Sequence, residues 1–225
     1  MENDILNGVG DNDVLIGGGG DDMIIGNSGN DTLYGNDGND YIEGNEGSDY
    51  IESNAGNDTV FAGSGNDSVY GQEGDDKIYL GEGDDWSEGN TGNDRIEGND
   101  GNDRIYGNEG DDFISGGIGN DTLYGNDGND KINGGLGLDL LIGGTGADCF
   151  EFSSLSDSSI NAKDIIEDFE QGKDKIDLSQ INEDLSFNSF NITIYNQHTI
   201  IKDNNSSFAI DLKGVFNLIE SDFIL

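Results

Sequence analysis

An aspartate returns every nine residues through most of this chain, and a period that short and strict admits few folds. Stepping by nine from Asp4 lands on Asp13, Asp22, Asp31, Asp40, Asp49, Asp58, Asp67, Asp76, Asp85, Asp94, Asp103, Asp112, Asp121, Asp130, Asp139 and Asp148, seventeen aspartates without a gap. Gly stands two residues before the aspartate in fifteen units, the exceptions being Glu2 and Asp11, and an apolar residue stands two after it in sixteen, Ser87 being the exception. Such self-similarity means stacked units that share one core, because no single unit can bury its own apolar residue.

With the aspartate at position six, a typical unit is Gly17-Gly18-Gly19-Gly20-Asp21-Asp22-Met23-Ile24-Ile25. Gly at positions one and four and Gly or Asn at position two supply left-handed backbone angles, so positions one to six are expected to form a loop. Positions seven to nine alternate outward, inward and outward as a strand does, which points the apolar column at position eight into the core. Each unit is then half a coil, and the chain is predicted to be all-β.

Stacking half-coils brings equivalent aspartates into rows roughly 5 Å apart. Unpaired carboxylates at that spacing repel and resist ionisation, so a cation is required between them. A donor set of carboxylates and backbone carbonyls, without nitrogen or sulfur, suits a hard cation, and a flexible Gly loop suits Ca²⁺ better than Mg²⁺.

Gly134-Gly135-Leu136-Gly137-Leu138-Asp139-Leu140-Leu141-Ile142 resembles the G-G-x-G-x-D-x-U-x nonapeptide of RTX (haemolysin-type) calcium-binding proteins. The resemblance covers residues 2–151 and implies a right-handed parallel β-roll with two nonapeptides per coil. It further implies that each Ca²⁺ lies between units eighteen residues apart, held by both aspartates, by carbonyls at positions two and four of one unit, and by carbonyls at positions one and three of the other. Carried over, one site comprises Gly18, Gly20 and Asp22 with Gly35, Asp37 and Asp40, and Gly38 is position four of that second unit. The aspartates from Asp13 to Asp148 are the candidate metal ligands. Fifteen pairs can be formed from seventeen aspartates.

Composition agrees with that reading and excludes others. A net charge of −39, with 38 Gly and no Pro, predicts disorder unless the carboxylates are neutralised; fifteen Ca²⁺ would bring thirty positive charges. Nucleic acid is excluded as a partner, since nine basic residues face 48 acidic ones. No apolar run approaches the roughly 20 residues of a membrane span. The start, Met1-Glu2-Asn3-Asp4, lacks the basic and apolar regions of a cleaved signal peptide. The first unit also lacks its head, which suggests a piece of a longer protein. Cys149 is a lone thiol expected at an outward position seven, without zinc or redox spacing.

After Phe150 the period ends, and an open stack needs a cover. Residues 1–149 are therefore assigned to the roll and 150–225 to an antiparallel β cap, with strands expected at Asn191–Tyr195, Thr199–Lys202 and Phe208–Leu212. The stretches Phe150–Asp157, Asp164–Phe169 and Gly172–Ser179 are similar to the C-terminal region of serralysin-type secreted metalloproteases. That resemblance alone suggests one more calcium at Asp157 and Asp164. It also implies that the ending Ser221-Asp222-Phe223-Ile224-Leu225 is an uncleaved address for a type I secretion apparatus, although a last edge strand explains it equally well.

The function these readings predict is a secreted calcium-binding module. It is disordered in low calcium, folds outside the cell or at its surface, and supports its own export and stability or those of an upstream passenger domain. No enzyme is predicted in this chain, whose one histidine is His198, although an N-terminal domain of a longer parent could be one. The alternative is an extracellular glycan-binding or adhesive roll. Its position-nine column reads Ile16, Tyr34, Glu52, Tyr70, Glu88, Tyr106, Tyr124 and Ile142, with Tyr50 and Trp86 beside it. Aromatic pairing within the sheet is the competing explanation of that column.

Overall fold

A computed structural model describes residues 2–181 and 185–225; residues 182–184 of the predicted cap lie outside the described residues. Strand β1 (Ile5–Asn7) is followed by fifteen six-residue strands at nine-residue intervals, β2 (Val14–Gly19) through β16 (Leu140–Thr145), and then by β17 (Cys149–Glu151). Odd-numbered strands form one sheet and even-numbered strands the other, every neighbouring pair in the repeats being parallel. The chain is a parallel β-roll of about eight turns, each coil spanning eighteen residues.

The turns are shorter than the glycine content predicts. Strands run through positions seven to nine and on through one to three, since Gly18 pairs with Asn36 and Gly19 with Asp37. Only positions four to six make the turn. Backbone groups of the expected loop therefore find partners one coil away, as the Gly20 N–H does on the Asp37 carbonyl at 2.8 Å. Position two has positive φ, near +75° at Asn36 and Asn126 and +105° at Gly18, and position four is left-handed throughout, as at Gly110 with φ +138°. Position one is different. Its Gly has no positive φ and is required for close approach, as the site below shows.

Positions eight and one both point inward. The position-eight column from Ile24 to Phe150 is entirely buried wherever it is apolar, and Leu6 and Leu15 at the open end are partly buried. Each buried Ile or Leu contributes about 1.5–3 kcal/mol. At Asp85-Trp86-Ser87, where the apolar column is broken, β10 (Trp86–Thr91) keeps unbroken register with both neighbours. In the strand before it, β9 (Lys77–Glu82), Leu80 occupies the inward position usually held by Gly and is wholly buried, as is Ser87.

The cover is more closely joined to the roll than a separate antiparallel unit. Strands β18 (Ile165–Ile166), β19 (Lys175–Asp177) and β23 (Phe223–Ile224) continue the two parallel ladders. The predicted antiparallel strands are β20 (Phe190–Tyr195), β21 (His198–Asp203) and β22 (Ala209–Lys213), and β22 joins them to β18 in parallel. Asn196 and Gln197, both with positive φ, make the tight turn of the first hairpin.

Glycine at position four is a local test of the stacking. A Cβ at Gly110 would collide with the Gly92 carbonyl oxygen of the coil before, at a φ that L side chains rarely adopt. Gly110→Ala is expected to cost about 2 kcal/mol or more, read as a lowered denaturation midpoint in saturating calcium.

Candidate metal centre

The turns place the aspartates in two rows. In one, the N–H of Asp4 donates to Asp22 Oδ1 at 2.7 Å, that of Asp22 to Asp40 Oδ1 at 2.8 Å, and so on to Asp130 and Asp148 at 3.0 Å. The other row runs from Asp13 and Asp31 to Asp121 and Asp139 in the same way. One oxygen of each carboxylate from Asp22 to Asp148 is thereby engaged. The second oxygen, Oδ2, is buried without a hydrogen-bond partner in every repeat aspartate from Asp13 to Asp148 and in Asp164. Such an orphan costs roughly 1–3 kcal/mol, and more when charged.

Between Asp13 and Asp130, wherever position one is Gly, the orphan faces another acceptor. The Cβ that Gly17 lacks would collide with Asp22 Oδ2 and lie 2.9 Å from the Gly35 carbonyl oxygen; the same holds at Gly107, between Asp112 Oδ2 and the Gly125 carbonyl at 3.0 Å. Position one is Gly because the carboxylate and a carbonyl from the next coil converge there. Two acceptors facing each other without a donor match a hard cation in charge and donor type. Among the described residues no three His, Cys, Asp or Glu side chains converge on one point, so remaining ligands would be backbone oxygens.

Without a cation, burial penalises ionisation. It pushes the carboxyl of Asp58 up to about 6, Asp67 to about 7 and Asp76 to about 8, with neighbouring aspartates adding repulsion. Burial is the larger cause in each, and along the first row the carboxyl of Asp94 returns to about 6 beyond Asp76.

The predicted ligand residues fall as follows. Gly18 is left-handed with open space beside it; Gly20 and Gly38 are left-handed and stack, the Gly20 carbonyl lying against the Gly38 α-carbon. The Gly35 carbonyl lies beside Asp22, and Asp37 presents its carbonyl to the Gly20 N–H. Beyond the repeats, Asp164 extends the second row, accepting the Asp139 N–H at 3.0 Å with its Oδ2 unpartnered, and burial raises it to about 9. Asp157 has another task. Its Oδ2 accepts the N–H groups of Ser153 and Ser154 at 2.7 and 2.8 Å, although its charge is felt by Asp139 and Asp164.

Two features escaped sequence reasoning. Asp174 continues the first row at an irregular spacing, accepting the Asp148 N–H at 3.1 Å, but its second oxygen is taken by the Glu170 N–H at 2.7 Å. Position five carries a second ladder, in which the side chain accepts the N–H of position five one coil on, as Asn12 does from Asn30 and Asp111 from Asn129. The excess of Asn and Asp in that column was its visible signal.

The outward aromatics turn toward one another. Tyr34, Tyr50 and Tyr70 form one series of ring contacts, and Trp86, Tyr106 and Tyr124 another, with Tyr106 and Tyr124 stacked at 4.5 Å and 5°. Arg104 lies over all three rings of the second series. Faces spent on neighbours are not free to stack on sugars, so the geometry favours pairing within the sheet. Cys149 is half-buried, and burial with the nearby Asp177 charge pushes its thiol up to about 11. His198 is held by Asp211 at 2.7 Å.

No helix among the described residues is long and apolar enough to cross a membrane. The family model for the RTX calcium-binding nonapeptide repeat (four copies) matches residues 2–33, 16–51, 25–60, 52–86, 88–123 and 115–150. Among solved structures, the AlgE6R3 subunit of the mannuronan C5-epimerase of Azotobacter vinelandii is 31% identical, with 55% of this chain and 77% of that one covered and a TM-score of 0.47. The AlgE6R2 subunit of the same enzyme is 27% identical, with coverage of 59% and 88% and a TM-score of 0.43. The extracellular lipase LipA of Serratia marcescens is 18% identical over 95% of this chain and 40% of its own, with a TM-score of 0.37. Curated protein sequences include no significant match. Nonapeptide matches from residue 2 to 150, on a roll whose aspartate rows present buried oxygens of the calcium-ligating kind, identify the chain as a member of the RTX calcium-binding repeat family.

Proposed function

We propose that this calcium-binding β-roll is a secreted module that stays unfolded where calcium is scarce and folds where it is abundant, at or beyond the cell surface. In that role it supports passage through a type I secretion apparatus and the extracellular stability of itself or of an upstream passenger domain. The observation that carries the reading is the row of buried, unpartnered Oδ2 atoms, most of them opposed by a carbonyl of the next coil. Ca²⁺ would be held there by the two aspartates of units eighteen residues apart together with loop carbonyls, as in the set Gly18, Gly20, Asp22, Gly35, Asp37 and Asp40. What the ion supplies is positive charge in a cage of oxygen atoms; the chain supplies the cage only when coiled, so binding free energy becomes folding free energy.

Asp164 is assigned one further step of the second row. Asp157 serves it as a nearby charge and by capping its turn. The roll itself is a structural module rather than an enzyme fold, and we assign it no catalytic residue. Type I export is assigned to the ending at residues 221–225.

The test at the level of single ligands is Asp94→Asn. Asp94 stands between Asp76 and Asp112, donating its N–H to Asp112 and accepting that of Asp76 at 2.8 Å each. Calorimetric titration should lose one or two ions while distant coils keep theirs, because stacked repeats couple mainly to their neighbours. Loss of all binding would contradict the proposal.

A further inference from the structure

Every tyrosine of the repeats lies against another aromatic ring. Tyr195, at the end of β20 in the cap, makes no such contact among the described residues and is 70% exposed. It lines an open cavity of about 560 Å³ on the cap sheet, together with Lys163, Ile200, Lys202 and Asp211. Strand register lays out that face. Lys202 pairs with Ala209 of β22, and the chain on the other side of β22 carries Lys163, since the Asp211 N–H donates to the Asp164 carbonyl at 3.0 Å. The two lysines thus flank a small, buried residue, their backbones two strand spacings or roughly 10 Å apart. In the next row Ile200 stands beside Asp211. His198 holds Asp211 Oδ1 at 2.7 Å, and Asp211 Oδ2 makes no hydrogen bond among the described residues.

The charges in this cavity are unspent. Lys131, Lys173 and Lys213 sit on glutamates, as does Arg95; Lys175 donates to the Ser221 carbonyl and Arg104 to two tyrosines. That leaves Lys77, Lys163 and Lys202 without an ion pair or side-chain hydrogen bond among the described residues, and two of those three meet here. In a chain of net charge −39, two free ammonium groups in one cavity beside a free aromatic face call for an anion with a body to stack.

We propose that the cavity binds an acidic glycan through one disaccharide unit. The carboxylate of a hexuronate sits between Lys163 and Lys202, the adjoining ring lies on Tyr195, and ring hydroxyls donate to Asp211 Oδ2. Asn191, opposite Lys202, and Tyr195 are four residues apart on β20, roughly 13 Å, which a disaccharide spans. A neutral sugar would leave both ammonium groups unpaired, and an alkyl carboxylate would leave Asp211 Oδ2 facing an apolar chain. The proposal goes beyond the calcium reading and does not rest on it.

The test is an NMR titration of amide signals in the full chain at saturating calcium, with cellobiouronic acid as probe and cellobiose and acetate as controls. The acid should shift amides of β20, β21 and β22 saturably, and the controls should bind at least about tenfold more weakly. Replacing Lys163→Gln and Lys202→Gln together should weaken the acid by about tenfold or more and flatten its salt dependence. Tyr195→Ala should weaken it with the salt dependence kept, a separation that loss of fold would not produce. Circular dichroism checks that the variants carry the wild-type strand signal. No saturable shift in the cap, equal binding of cellobiose or of acetate, or shifts confined to the aspartate rows as the sugar draws off calcium would each overturn the proposal. None of these outcomes bears on whether chelator unfolds the roll, so the proposed function stands or falls separately.

Discussion

In excess chelator at neutral pH the chain is expected to lose its strand signal in circular dichroism, and added Ca²⁺ to restore it. Two rows of carboxylates, most of them no more than a few per cent exposed, cannot all ionise in the metal-free coil. A core of one apolar residue per unit favours the coil, but the entropy of ordering a chain with 38 Gly, at roughly 1–2 kcal/mol per residue of backbone, acts with the carboxylates against it. A β spectrum that persisted in chelator at pH 7 would sink the idea. Acid should act in the same direction as calcium. The carboxyls of Asp58, Asp67 and Asp76 are raised from 3.8 to about 6, 7 and 8 in the metal-free fold, so the folded chain binds protons more tightly than the unfolded one. Their contribution to stability is complete below about pH 4 and is lost as the pH climbs through 6 to 8. Chelated protein titrated from pH 7 to pH 4 should therefore gain strand signal, and calcium should bind more weakly at the acid end, where protons compete for the same oxygens.

Removing the last four residues is expected to weaken the cover markedly, with Phe223→Ala alone costing about 3–5 kcal/mol. An exposed secretion address would predict a nearly neutral deletion. Instead Asp222 is fully buried, accepting from the Ile219 N–H at 2.9 Å and from Gln171 at 3.2 Å. Phe223 stacks on Phe190 at 5.7 Å and meets Phe187 edge-on at 5.5 Å. The Ile224 carbonyl closes the ladder on the Leu178 N–H at 2.8 Å. Chemical denaturation of Phe223→Ala at saturating calcium should show the loss, and an unaltered midpoint would refute the packing account. Full deletion of residues 222–225 then has two separable readouts, stability of the purified protein and its export by a type I system. Normal export with lowered stability would leave the strand role standing and remove the address.

The period of nine, the inward column at position eight and the aspartate rows were all legible in the sequence, because each depends on a residue type repeated in fixed register. Local chemistry was enough for those. Three things were decided only by the coiled chain. The glycines of positions one to three joined the strands, because backbone groups eighteen residues away complete their hydrogen bonds, and no propensity scale for a short window contains that partner. Glycine at position one proved to be a matter of clearance for a carboxylate and a carbonyl rather than of backbone angle, a distinction visible only once two coils are stacked. Beyond residue 150 the spacing is irregular. Asp164 and Asp174 take up the rows there because β18 and β19 bring them into register beside Asp139 and Asp148. Whether each leaves an oxygen free is then settled by whether a nearby N–H, such as that of Glu170, reaches it first.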